Sequence, residues 1–89
     1  MQFQEIKKII KAECKRNNVT FYQGKGKTVL FRDNVRSNGY FTDGNDGKND
    51  NPRLAIASGD NALDVLIHEY CHMQQYLEQS PEWNFLIMI

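Results

Sequence analysis

Leu63-Asp64-Val65-Leu66-Ile67-His68-Glu69-Tyr70-Cys71-His72-Met73-Gln74-Gln75-Tyr76-Leu77 carries a long periodic pattern. Apolar residues recur through it at three- and four-residue spacing, the period of an amphipathic helix. The predicted helix runs from about residue 61 to 79, with Asp60 as its N-cap and Ser80-Pro81 as its stop. Projected at about 100° per residue, Leu63, Leu66, Ile67, Tyr70, Met73 and Leu77 cover one side. Asp64, Val65, His68, His72, Gln75 and Tyr76 cover the other. Within the helix, residues 68 to 72 read H-E-x-x-H. His68 and His72 lie one turn apart and point the same way, so two imidazole nitrogens can converge on one metal ion. Glu69 sits about 100° round from His68, within reach of a water held there. These are the chain's only two histidines. Their place off the apolar stripe argues against imidazoles that merely satisfy a core.

Upstream of this helix, residues 2 to 17 carry a second amphipathic pattern. Phe3, Ile6, Ile9, Ile10 and Cys14 fall on one face with lysines opposite, and Asn17-Asn18 ends it. Val19-Thr20-Phe21-Tyr22 and Thr28-Val29-Leu30-Phe31-Arg32 read as strands, and Gln23-Gly24-Lys25-Gly26-Lys27 between them suits a hairpin. Asn38-Gly39 marks a turn before Tyr40-Phe41-Thr42, and Arg53-Leu54-Ala55-Ile56-Ala57 is a fourth short strand. Residues 43 to 52 form a polar loop rich in Asp, Asn and Gly. A calcium loop starting at Asp43 would need Asp or Asn, then Gly, where Gly47 and Lys48 stand, and a bidentate Glu where Leu54 stands. That reading fails. The expected fold is α+β: an N-terminal helix, a small mainly antiparallel sheet, then the H-E-x-x-H helix.

Eighty-nine residues make one small domain with a single modest core. Eleven basic residues balance eleven acidic ones, so no surplus charge points to nucleic acid or a membrane surface. The N-terminus lacks the apolar core of a signal peptide, and no run approaches the ~18 apolar residues of a membrane span. Cys14 and Cys71 lack CxxC spacing and read as two reduced, partly buried thiols. The implied location is the cytoplasm. The apolar end Glu82-Trp83-Asn84-Phe85-Leu86-Ile87-Met88-Ile89 has no cap or polar tail, so the domain is expected to be incomplete at its C-terminus.

The motif resembles that of the zincin metallopeptidases. Their extended pattern wants uncharged residues around the histidines; Val65, Leu66, Tyr70, Cys71 and Met73 comply, and Gln74 departs where an apolar residue is usual. The order helix, small sheet, site helix is also similar to the small intracellular zincins of bacteria and their viruses, the ImmA/IrrE-type peptidases among them. Outside residues 53 to 78 the resemblance is architectural. It implies that His68 and His72 bind Zn²⁺, that Glu69 is the general base, and that a peptide or protein substrate lies as an added strand on a sheet edge. Arg53-Leu54-Ala55-Ile56-Ala57, which leads into the site helix, is the expected edge. Asp64, one turn before His68, is either an acceptor orienting that imidazole or a plain solvated carboxylate.

A catalytic zinc needs three protein ligands and an open position. Glu78 stands at the offset of the metzincin third ligand. That branch, however, has Gly where Gln75 continues the helix, and Glu78 points about 100° away from the bisector of the histidines. The third ligand is expected beyond residue 89; the second choice is Glu82, which follows the Pro81 break and can fold back as a gluzincin-like glutamate, although in that branch the glutamate comes from a following helix further away. Peptide deformylases use a cysteine from a separate upstream segment, which neither Cys14 nor Cys71 matches. Tyr22, Tyr40, Tyr70 and Tyr76 are equal candidates for a hydroxyl that stabilises an oxyanion. The expectation is a zinc-dependent endopeptidase. Its rivals are a non-catalytic module of the same shape, or an inactive fragment, and a complete third ligand would decide for the enzyme.

Overall fold

The computed structural model describes residues 2–32, 35–44 and 51–78. Seven elements follow in order: α1 (Phe3–Arg16), β1 (Thr20–Gln23), β2 (Val29–Arg32), β3 (Val35–Ser37), β4 (Gly39–Thr42), β5 (Arg53–Ile56) and α2 (Ala62–Leu77). The fold is α+β, as the order of periodicities requires.

Helix α1 ends in a motif that the sequence spells out. Asn18 takes the left-handed conformation at φ 59. The Val19 N–H reaches back to the Cys14 carbonyl at 2.8 Å, and the Asn18 N–H reaches the Lys15 carbonyl at 3.3 Å. These two bonds close a Schellman turn and satisfy carbonyls left open by the helix end. Lys15 and Arg16 in the last turn complement the helix dipole.

Three strands form one sheet in the order β1-β5-β4, and β2 pairs with β3 as a separate antiparallel hairpin. Strand β5 is central, parallel to β1 and antiparallel to β4, with Phe21, Leu54 and Phe41 in register and Tyr22, Ala55 and Tyr40 beside them. Because side chains alternate along a strand, Phe21, Leu54 and Phe41 face one side and Tyr22, Ala55 and Tyr40 the other. The first side packs on the helices, in a core of Ile10, Cys14, Val19, Phe41, Leu54, Ile56, Leu66 and Met73. On the second side, Val29 and Phe31 of the hairpin pack against Tyr40, Ala55 and Ala57, with the Phe31 and Tyr40 rings 5.1 Å apart. The molecule is thus layered as helices, sheet, hairpin.

Several expectations need correction. Strands β1 and β2 do not pair with each other; β1 joins β5, and the residues between β1 and β2 are tied down by Ser58, whose N–H donates to the Gly26 carbonyl at 2.8 Å. The Arg53–Ala57 run is not a sheet edge, since β5 is bonded on both sides. Among the described strands the edges are β1 and β4. Strand β3 was not expected from its three residues, and Gly39 belongs to β4 rather than to a turn. The N-cap of α2 is Asn61, without a side-chain cap bond, not Asp60. Ile9 and Ile67 are exposed rather than core, and Cys71 is exposed while Cys14 is buried. The expected helix stop at Ser80-Pro81 lies outside the described residues, as does the apolar end from Glu82. Among the described residues no helix is long and apolar enough to cross a membrane.

Candidate metal site

Helix α2 turns a wider face to the sheet than its aliphatic side chains alone would suggest. Leu66, Glu69, His72 and Met73 are all buried, spacings that lie close together on the helix surface. His68, one turn before His72, is exposed. The pair therefore straddles the boundary between core and solvent, with His72 7% exposed.

Their Nε2 atoms lie 3.1 Å apart, with the rings edge to face. Two imidazoles on a tetrahedral zinc, with bonds of ~2.0–2.1 Å, hold their nitrogens roughly 3.3 Å apart. The separation is close to that requirement, and in the metal-free chain it is a hydrogen-bond distance between the two rings. On the far side of the His72 ring, Nδ1 lies 3.2 Å from Gln75 Oε1. With Nδ1–H donating to that oxygen, Nε2 carries the lone pair a metal needs, the usual way in which a neighbouring group selects a ligand tautomer. Gln75 stands at i+3 from His72. That spacing was legible in the sequence, but one sequence offers no reason to give a glutamine this role.

Glu69 occupies the seam between α2 and strand β4. The Asn38 carbonyl accepts from the Ala57 N–H, so the alternation of the antiparallel ladder directs Tyr40 and Thr42 to β5 and turns the Phe41 N–H to the free edge. There the Phe41 backbone N–H donates to the Glu69 carboxyl. The other oxygen, Oε1, is buried without a hydrogen-bond partner. Burial pushes the Glu69 carboxyl up to about 8, and the Phe41 N–H offsets this only in part. A buried carboxyl with one oxygen unpartnered is a costly arrangement that structural roles seldom require.

Gly39 makes this closeness possible. A Cβ at that position would lie 2.5 Å from Val65 Cγ1 and 2.8 Å from the Ala55 carbonyl oxygen. Only a residue without a side chain lets α2 lie so close to β4. Beside this contact opens a cleft of about 610 Å³, whose walls include His68, Glu69, Asp64, Gly39 and Arg36. Asp64 and His68 thus share one cleft, while the ring acceptor given by the structure is Gln75, on His72. None of the four tyrosines lines the cleft.

Among the described residues, no third His, Cys, Asp or Glu joins the two histidines. Glu78 caps the C-terminus of α2 and is exposed, away from the pair. Glu82 lies outside the described residues. No protein family, no curated protein and no solved structure matches this chain.

Proposed function

We propose that the chain is a zinc-dependent peptidase domain of the zincin type, in which His68 and His72 hold the metal and Glu69 moves the proton. The observation that carries this reading is the convergence of two Nε2 atoms, 3.1 Å apart, beside a buried carboxyl with an unpartnered oxygen. Chance placement of histidines on a polar helix face does not account for the buried glutamate next to them.

Zinc bound by such a pair supplies Lewis acidity, which acidifies water, polarises a carbonyl and, as a nearby dication, favours the ionised form of a neighbouring carboxyl. The rest is done by the chain's own groups. Gln75 holds the His72 ring in its ligating tautomer. The Phe41 N–H fixes the Glu69 carboxyl, leaving Oε1 to accept a proton from the attacking water and return it to the leaving amine nitrogen. Gly39 at the start of β4 forms one wall of the cleft, which has room for a peptide beside His68 and Glu69. In this chain Glu82 is the residue offered as third ligand, and otherwise the ligand comes from elsewhere. The missing third donor among the described residues favours one rival, a binding module of the same shape without turnover.

Zinc titration of the purified chain tests the proposal, with His72→Ala as control and peptide hydrolysis measured in parallel. The expected result is one zinc per chain, lost in His72→Ala. Glu69→Gln keeps the metal and loses hydrolysis by about a hundredfold or more, the scale of a positioned acid–base group. Zinc bound without any hydrolysis in the unsubstituted chain would identify the binding module. No zinc bound above the control would sink the peptidase reading for this chain and favour the module without turnover.

A further inference from the structure

A second cavity, of about 410 Å³, lies beneath the β2–β3 hairpin on the side of the sheet opposite α1 and α2. Three cations line it: Lys25, Arg36 and Arg53. Among the described residues that line it, none is an aspartate or glutamate. The Nε of Arg53 is buried without a hydrogen-bond partner, and an unpaired buried guanidinium nitrogen calls for an acceptor. Arg36 is held by Thr28, with Nε donating to Thr28 Oγ1 at 2.8 Å and Nη2 to the Thr28 carbonyl at 2.9 Å. Those bonds occupy one edge of the guanidinium and leave the Nη1 edge for a ligand.

Lys25 is placed with similar care. The glycines on either side are tied to the end of β5 and the chain just after it: the Gly24 N–H donates to the Ile56 carbonyl at 2.9 Å, and the Ser58 N–H to the Gly26 carbonyl at 2.8 Å. Ser58 Oγ also donates to the Gly24 carbonyl at 2.6 Å. The Gly-Lys-Gly segment is therefore an anchored turn that presents one ammonium group. Tyr22 and Leu30, both about half exposed, add apolar surface to the same cavity.

We propose that this cavity binds a phosphate group, either free or carried by a small organic molecule. A phosphate monoester carries ≈ −1.5 to −2 charge at neutral pH and three acceptor oxygens. It thus matches three cations lining one cavity better than a single carboxylate does, and Tyr22 and Leu30 would receive its organic part. The formal net charge of zero gives no support to a long polyanion. Thr28 and Arg36 also wall the histidine cleft, but neither His68, His72 nor Glu69 lines this cavity.

The test is titration of the full chain with phenyl phosphate and, separately, with inorganic phosphate, at constant ionic strength. Lys25→Gln and Arg36→Gln are compared after thermal melts establish that each is folded. Saturable binding that each substitution weakens by about tenfold or more, the scale of a lost charge-assisted hydrogen bond, supports the site. Lys25 is exposed on a turn, so its replacement keeps the test valid if Arg36→Gln does not fold. Tighter binding of phenyl phosphate assigns the site to a phosphorylated organic molecule, and equal binding assigns it to the free anion. His72→Ala is expected to bind as the unsubstituted chain does. No saturable binding of either probe, affinity unmoved by Lys25→Gln, or binding seen only with an oligonucleotide overturns the proposal.

Discussion

Glu69 is a buried carboxyl with one oxygen unpartnered, and its proton affinity follows from that placement. Unfolded, it ionises near 4.5; folded, it holds its proton to about 8. Between those values the native state binds more protons than the unfolded one, so stability is fully present below the lower value and is lost as pH rises through the upper. The metal-free chain is therefore expected to lose stability steadily across that window, and Glu69→Gln to remove most of the slope. Urea midpoints measured on either side of the window check this. A wild-type midpoint that does not move would show that Glu69 ionises normally. The pairing of His68 with His72 was legible in advance, because four residues on a helix make one turn whatever surrounds it. The burial of Glu69 was not, because a helical projection does not say how wide a face the sheet will cover.

At the level of elements, the contact of α2 with β4 depends on Gly39. Gly39→Ala must move either Val65 or the strand backbone, and Ala55 O at 2.8 Å from the added Cβ leaves the strand little freedom. Destabilisation of about 1–3 kcal/mol is expected, the usual range for overpacking a filled site. A shift in urea midpoint without a change of slope is the signature, and a variant as stable as the parent would mean that α2 stands off from β4. Asn38-Gly39 looked like a turn because the dipeptide is a common turn signal. The requirement here comes from a helix twenty-six residues later in the chain. The expected β1–β2 hairpin failed for a related reason. Glycine-rich spacing shows where the chain can reverse but not which strand it will then pair with, and β1 found its partner in β5.

At the scale of the whole molecule, a sulfur–sulfur contact lies between the two helices in the core: Cys14 Sγ is 3.6 Å from Met73 Sδ. Burial, aided by the nearby Glu13 carboxylate, pushes the Cys14 thiol up to about 11, so it is both shielded and protonated at neutral pH. Cys71 is exposed. An alkylating reagent is expected to modify Cys71 at once and Cys14 only when the molecule opens. The lag between the two adducts, followed by mass spectrometry, then reports global unfolding, and urea should shorten it. Equal rates without denaturant would mean that α1 is not docked on the core.

Features that depend on near neighbours along the chain could be read from the residues alone. They include both helices, the Asn18 turn that ends the first, the α+β order and the spacing of the histidine pair, since helix geometry and capping act over a few residues. Only the tertiary structure decided that β5 lies at the centre of its sheet, that Glu69 is buried against the free edge of β4, and that Lys25, Arg36 and Arg53 surround one cavity. Each of these joins residues far apart in sequence, through strand pairing and packing that no local pattern specifies.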